Sequence, residues 1–170
     1  MRTWMIAPLF AAHLALAGCG PALPAVPPGA PVVAVPMRLI QTNHSPPPKL
    51  VEIAADGTIS GPTGEPLGKL AGTKITDMKG KEILSISPDG TVVSTEATRK
   101  LKFNEDGDLT DAKGSIKIGS DGVVITQEAG ADLTRTAMKF EGYTPAGHRA
   151  AAVVLVMIAK HLGNVADLGL

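Results

Sequence analysis

The side chains that could do chemistry in this 170-residue chain are few and widely spaced. Beyond residue 18 the histidines are His44, His148 and His161. The last two are 13 positions apart, about 20 Å along a helix, which is too far to share a metal ion. No HExxH, GxSxG, P-loop or GxGxxG motif occurs. We therefore expect that the protein is not an enzyme and that it binds neither a cofactor nor a metal ion. A cleft in which His148 lies within hydrogen-bond reach of an acid such as Glu141 would reverse this expectation.

Four Asp-Gly pairs raise the question of a calcium site. An EF-hand loop aligned on Gly107 would put Asn104 and Asp106 at ligand positions, but also Lys102 and Lys113. Because basic side chains do not coordinate calcium, we interpret the Asp-Gly pairs as structural turns.

The composition narrows the class of protein. The formal net charge is zero and aromatic residues make up only 3%, which argues against a nucleic-acid partner. Cys19 is the single cysteine, which excludes an intrachain disulfide framework and a CxxC site. Hydrophobic residues make up 44%, as in a folded domain.

Residues 1–18 are expected to be a signal peptide. An apolar run, too short for a permanent membrane span, leads into a Leu, two small residues and a Cys: Leu16, Ala17, Gly18 and Cys19. This sequence resembles the lipobox of the bacterial lipoproteins. The resemblance implies that a signal peptidase recognises the first three of these residues and that Cys19 is the lipid attachment site, carrying acyl chains such as palmitate. The alternative is an ordinary signal peptide with a cysteine there by chance.

Two or three acyl chains would anchor the protein durably, because each buried CH₂ contributes about 0.8 kcal/mol. Enteric lipoproteins that stay at the inner membrane carry Asp after the Cys, and this chain has Gly20. The resemblance therefore favours the outer membrane, with the protein facing either the periplasm or the cell surface.

Residues 19–48 are predicted to be a Pro/Ala-rich tether. Residues 20–36 contain six prolines and no charge, and an extended polyproline segment of this length would reach about 50 Å. We favour a spacer over a docking site for a proline-binding partner. Residues 37–42 have the pattern of a first strand.

Residues 49–143 are predicted to be a domain of β-hairpins. The pattern apolar-x-apolar-x-x-Asp-Gly-x-apolar occurs four times, with turn glycines Gly57, Gly90, Gly107 and Gly122. A three-residue loop with a G1 bulge puts the flanking apolar residues on one face. It predicts four cross-strand pairs: Ile53–Ile59, Ile86–Val92, Phe103–Leu109 and Ile118–Val124. Lys79-Gly80 and Lys113-Gly114 are the expected return turns.

Residues 144–163 are predicted to form a C-terminal helix, with Thr144 as N-cap, Pro145 at its first position and Gly163 after its end. Ala150–Ala159 are all apolar, so this helix should be buried, and His161 would then lie at the negative end of the helix dipole. The expected fold is mainly β (α+β): an antiparallel meander of roughly eight to ten short strands, open or closed as a small barrel, covered or plugged by the helix.

The sequence favours a non-catalytic, lipid-anchored envelope protein with a structural or binding role. Its expected contacts are the membrane, through Cys19, and an envelope protein or a lipid, and we expect a monomer. One alternative is a barrel that binds a small apolar or lipidic ligand. Another is a protein that inserts the C-terminal helix into a membrane as part of a pore.

Overall fold

The computed structural model of the chain describes residues 26–95 and 100–161, and the side chains of 160 and 161 are not among those described. The lipobox residues 16–19, Gly163 and the proposed role of His161 therefore lie outside the described residues.

The described residues form a closed barrel of twelve antiparallel strands. Each strand pairs with the next one along the chain, and β1 pairs with β12 to close the ring. The strands are β1 Met37–Gln41, β2 Lys49–Ile53, β3 Thr58–Ser60, β4 Pro66–Ala71, β5 Lys74–Thr76, β6 Glu82–Ile86, β7 Thr91–Ser94, β8 Leu101–Phe103, β9 Leu109–Asp111, β10 Gly114–Ile118, β11 Val123–Glu128 and β12 Thr134–Glu141. The predicted fold class is confirmed, with two to four more strands than expected.

The first strand lies inside the segment that the sequence assigns to the tether. β1 occupies Met37–Gln41, and it bonds to β2 on one side and to β12 on the other. A chain that began at Lys49 would therefore lack the strand that closes the barrel. Residues 67–76, for which the Asp-Gly pattern predicts no hairpin, are divided between β4 and β5.

The four predicted cross-strand pairs are confirmed: Ile53 faces Ile59, Ile86 faces Val92, Phe103 faces Leu109, and Ile118 faces Val124. The first turn shows how the register is set. Ala54 N–H donates to the Thr58 carbonyl at 2.9 Å, and Gly57 N–H donates to the Ala54 carbonyl at 3.0 Å. With Gly57 at φ 83°, this is the pattern of a three-residue loop with a G1 bulge.

The chain enters its helix through a short 3₁₀ turn at Pro145–Gly147, and the α-helix, α1, spans His148–His161. Thr144 is extended, with φ −135°, and its side chain makes no capping hydrogen bond. Thr144 is thus the N-cap residue and Pro145 lies in the first turn, as predicted, but the hydroxyl does not make the capping bond. The Thr144 carbonyl instead accepts from Gly147 N–H at 2.9 Å and closes the 3₁₀ turn.

Helix α1 lies inside the barrel. Its apolar residues are buried on every side of the helix, and they belong to the same core cluster as the inward-facing residues of the strands. Val153, Val154 and Leu155 each have no exposed surface. A barrel of about eight strands can be filled by side chains alone, whereas twelve strands enclose a wider space. The helix fills that space, as the all-apolar run Ala150–Ala159 predicts.

The strand order gives the barrel two distinct ends. We call the end at which α1 begins the entry end; it carries the turns of Gly57, Gly72, Gly90, Gly107, Gly122 and Gly142. The opposite, far end carries the β1–β2 loop, the Ala112-Lys113 turn and the turns of Gly64, Gly80 and Gly130.

Candidate functional site at the entry end of the barrel

A small polar cluster lies at the entry end, where the helix begins. Asp108 directly precedes β9, Tyr143 follows β12, His148 is the first residue of α1, and Lys117 is on β10. Asp108 is only 6% exposed, in a molecule whose other carboxylates are mostly at the surface. A buried carboxylate needs compensating partners, so this cluster is the first candidate for a site.

His148 joins the members of the cluster. Its Nδ1 lies 2.7 Å from the Tyr143 hydroxyl, and its Nε2 lies 3.2 Å from Asp108 Oδ1. The contact of Nε2 with Asp108 does not have hydrogen-bond geometry, so we treat it as electrostatic. Burial and the nearby Asp108 both raise the pKa of Tyr143, so its hydroxyl keeps its proton. Which group donates in the pair of Tyr143 and Nδ1 is set by the tautomer of His148.

Asp108 is ionised despite its burial. Burial alone would raise its pKa, but His148 and Lys117 together hold the pKa of this carboxyl below its ordinary value. Lys117 Nζ is 3.3 Å from Asp108 Oδ2. The carboxyl also lies beside the first turn of α1, where the helix dipole favours a negative charge.

Tyr143, His148 and Asp108 place a hydroxyl, an imidazole and a carboxylate in a row. Catalytic triads have the same order, in which the hydroxyl is the nucleophile, the imidazole is the base and the carboxylate orients the imidazole. The hydroxyl here belongs to Tyr143, whose raised pKa opposes formation of the anion that would attack a substrate. Moreover, the histidine and aspartate side chains are only 12% and 9% exposed. These contacts fix the start of the helix against β9 and β10.

Arg149 extends the polar cluster to the N-terminal part of the chain. Its guanidinium donates to the carbonyl oxygens of Pro27, at 3.0 Å, and Pro28. The same group lies 4.3 Å from the centre of the Phe103 ring, within range of a cation–π contact. Arg149 is 8% exposed, and burial lowers its pKa. Arg149 thus ties the start of the helix to residues 27 and 28; the Pro27 carbonyl also accepts from Ala30 N–H at 2.9 Å.

Residues 26–36, which we call the strap, follow the rim of the entry end. Pro28 and Gly29 lie against Gly90 and Pro88, and the strap continues past other turns of the same rim. Val32 forms an isolated β-bridge with Gly72 and is 5% exposed. The sequence predicts an extended spacer here, but Val32 belongs to the core, and Ala34 and Val35 are partly buried against it.

The same rim carries a regular set of ion pairs. Asp56 Oδ2 is 3.9 Å from Lys69 Nζ and Asp89 Oδ2 is 3.3 Å from Lys102 Nζ, while Asp121 pairs with Arg135. The aspartates also accept from the backbone within their turns; Asp56 Oδ1, for example, accepts from Thr58 N–H at 3.0 Å. The Asp-Gly pairs thus act as turns, and no cluster of potential metal ligands occurs among the described residues.

The candidate residues of the sequence analysis are brought together only in part. Glu141, named as a partner for His148, pairs instead with Arg38 at 2.5 Å, and the acid beside His148 is Asp108. His44 is exposed in the β1–β2 loop. The four turn glycines all lie at the entry end, with φ between 81° and 85°. Asp108, Lys117 and Tyr143 were missed because they form one cluster only when the fold brings His148 to Asp108, 40 positions earlier in the chain.

Comparison with known proteins gives no relative for this chain: no family model, no curated protein sequence and no solved structure matches it.

Proposed function

We propose that this chain is a lipid-anchored protein of the bacterial envelope, held in the outer membrane by acyl chains on Cys19, with a non-catalytic structural or binding role. The anchor is inferred from the lipobox resemblance. The observation that supports the role is the filled barrel, since helix α1 occupies the interior and its apolar residues are buried. A module built this way offers partners its outer wall and its two ends.

The outer wall supports the same proposal. Charged residues alternate with the inward-facing core residues, and pairs such as Lys74–Glu82, at 2.7 Å, link neighbouring strands. Exposed pairs of this kind contribute little to stability, but they keep a surface compatible with water. Such a surface suits a domain that stands beside a membrane on an anchor.

The alternative of a ligand-binding barrel requires a cavity lined by apolar residues. In this protein the apolar inward-facing residues of the strands contact the helix instead. The other alternative places the C-terminal helix in a membrane. Among the described residues, no helix is long and apolar enough to cross one. Solvent extraction tests the ligand-binding alternative directly.

The anchor is tested by replacing Cys19 with Ser or Ala. In a bacterium fed a clickable fatty acid, the native protein should incorporate label and partition into detergent, and both variants should lose label and partitioning. Equal labelling of the variants would refute the proposed attachment site.

The role of the barrel is tested by solvent extraction. The protein, exported behind a signal peptide that lacks the lipobox, is purified, extracted with organic solvent and analysed by mass spectrometry. We expect no stoichiometric lipid, because α1 occupies the interior. One bound lipid per chain would favour the carrier instead.

A further inference from the structure

The path of the strap fixes where the N-terminal end of the chain leaves the barrel. Residues 27–29 lie on the Pro88–Gly90 turn, Val32 pairs with Gly72, and the Pro36 carbonyl lies near Gly142. All of these contacts are with the entry end. The chain therefore reaches the barrel at one end and follows that rim into β1.

The chain between the lipid attachment site and the strap is short. Seven residue steps separate Cys19 from Val26, and a fully extended chain spans at most about 3.6 Å per residue, or about 25 Å in all. Helix α1 has 14 residues and so extends about 21 Å along the interior. A chain of this length reaches the membrane directly from the entry end. If the far end faced the membrane instead, nearly all of the chain between Cys19 and Val26 would have to run along the outer wall of the barrel.

The entry end has charges that suit a phospholipid surface. Three of the four Asp-Gly aspartates on its rim, Asp56, Asp89 and Asp121, are each paired with a lysine or arginine on a neighbouring strand, and Asp108 is paired with Lys117. This set of paired charges presents both signs, as zwitterionic headgroups do. It therefore does not produce the strong repulsion of an unpaired acidic rim.

We propose that the entry end of the barrel faces the membrane and that the far-end turns face away from it. This inference rests on the proposed acylation of Cys19. The short segment between Cys19 and Val26 keeps the strap close to the membrane, and the contacts of the strap with the entry end hold that end of the barrel there.

The sequence offers clean positions for a distance measurement. Cys19 is the only cysteine and would be blocked by acylation, so one introduced thiol can be labelled selectively. Ala55, at the entry end, and Met78, at the far end, are both exposed and occupy the same position of the same kind of three-residue turn. Ala55→Cys and Met78→Cys are therefore a matched pair.

Each acylated variant, produced with its own signal peptide, is labelled with a donor dye and incorporated into phosphatidylcholine vesicles that contain an acceptor lipid. Flotation with the vesicles is checked first, and energy transfer is then measured. We expect clearly higher transfer from the dye at position 55, corresponding to a height difference of about 20 Å. Equal transfer, or higher transfer from position 78, would overturn the proposed orientation.

Two further results separate the steps of the inference. Failure to float would overturn the anchor itself, and the orientation with it, whereas flotation with equal transfer would overturn the orientation alone. Inserting 20 Gly/Ser residues between Cys19 and the strap should reduce the difference between the two dyes, because a flexible segment of that length reaches about 25 Å in every direction. A difference that persisted would overturn the short connection as its cause.

Discussion

The two ends of the barrel use the same kind of turn but differ in what surrounds it. At the far end Gly80 has φ 81°, and nothing lies within 4 Å of the position where a Cβ would be. At the entry end Gly122 also has φ 81°, but a Cβ there would overlap the carbonyl oxygen of Phe140. Both turns therefore need a glycine for its positive φ. At the far end the glycine is surrounded by solvent, whereas at the entry end it is packed against neighbouring backbone.

The packing at the entry end is repeated around the rim. The carbonyl oxygens of Gly57, Gly90 and Gly122 accept from Leu70, Phe103 and Phe140 N–H, at 2.8, 3.0 and 2.8 Å. Each bond joins a hairpin tip to the strand that follows the hairpin. The strap and the first residues of α1 then cover this ring, so a change at the entry end affects several elements at once.

The largest difference between the ends is expected from a pair of glycine substitutions. Valine at either position is strained by the positive φ, at a cost of about 1–2 kcal/mol. Gly122→Val should also displace Phe140 and weaken its 2.8 Å hydrogen bond, so we expect a total loss of about 3 kcal/mol or more. Gly80→Val, as the matched control, should lose only the strain energy. Urea unfolding measures both, and equal losses would contradict a packed rim.

A smaller effect is expected from loosening the strap. Arg149→Met retains apolar bulk but removes the two hydrogen bonds to the strap and the contact with Phe103, so we expect a loss of about 2 kcal/mol. Hydrogen exchange at Val32 N–H, which donates to the Gly72 carbonyl at 2.9 Å, should speed up about tenfold. Arg38→Met is the control, because the Arg38 side chain is 58% exposed and contacts Glu141 instead. Similar exchange in both variants would mean that Arg149 does not hold the strap.

The same contrast explains how much of the fold was predictable. The hairpin registers depend on residues within a few positions of each other, so the spacing of Ile53 and Ile59 around Gly57 was sufficient to predict their pairing. The burial of Ala150–Ala159 followed from its composition in the same way. The strap was not predictable, because its contact between Arg149 and Pro27 joins residues 122 positions apart. The predicted count fell short of twelve strands in part because the turn between β4 and β5 carries no Asp-Gly pair.

The smallest effect is expected from the charge of Asp108, and it should depend on pH. Asp108→Asn leaves Lys117 and His148 without the carboxylate, so we expect a loss of about 1–2 kcal/mol at pH 7. The pKa of this carboxyl is lower in the folded protein than the ordinary value of 3.8, so the charged form is the one that folding favours. Its contribution is complete above the unfolded pKa and is lost as the pH falls through the folded pKa.

The difference in unfolding free energy between the native protein and Asp108→Asn should therefore shrink as the pH falls below about 4. Glu82→Gln is the control on the outer wall. The pKa of Glu82 is also lowered, by its hydrogen bond to Lys74, but this pair is exposed and solvent screens it. We expect little change from that substitution at any pH in urea titrations. A pH-independent loss in Asp108→Asn would assign the effect to packing at the start of α1 rather than to charge, and the entry end would then differ from the wall only in how tightly it is packed.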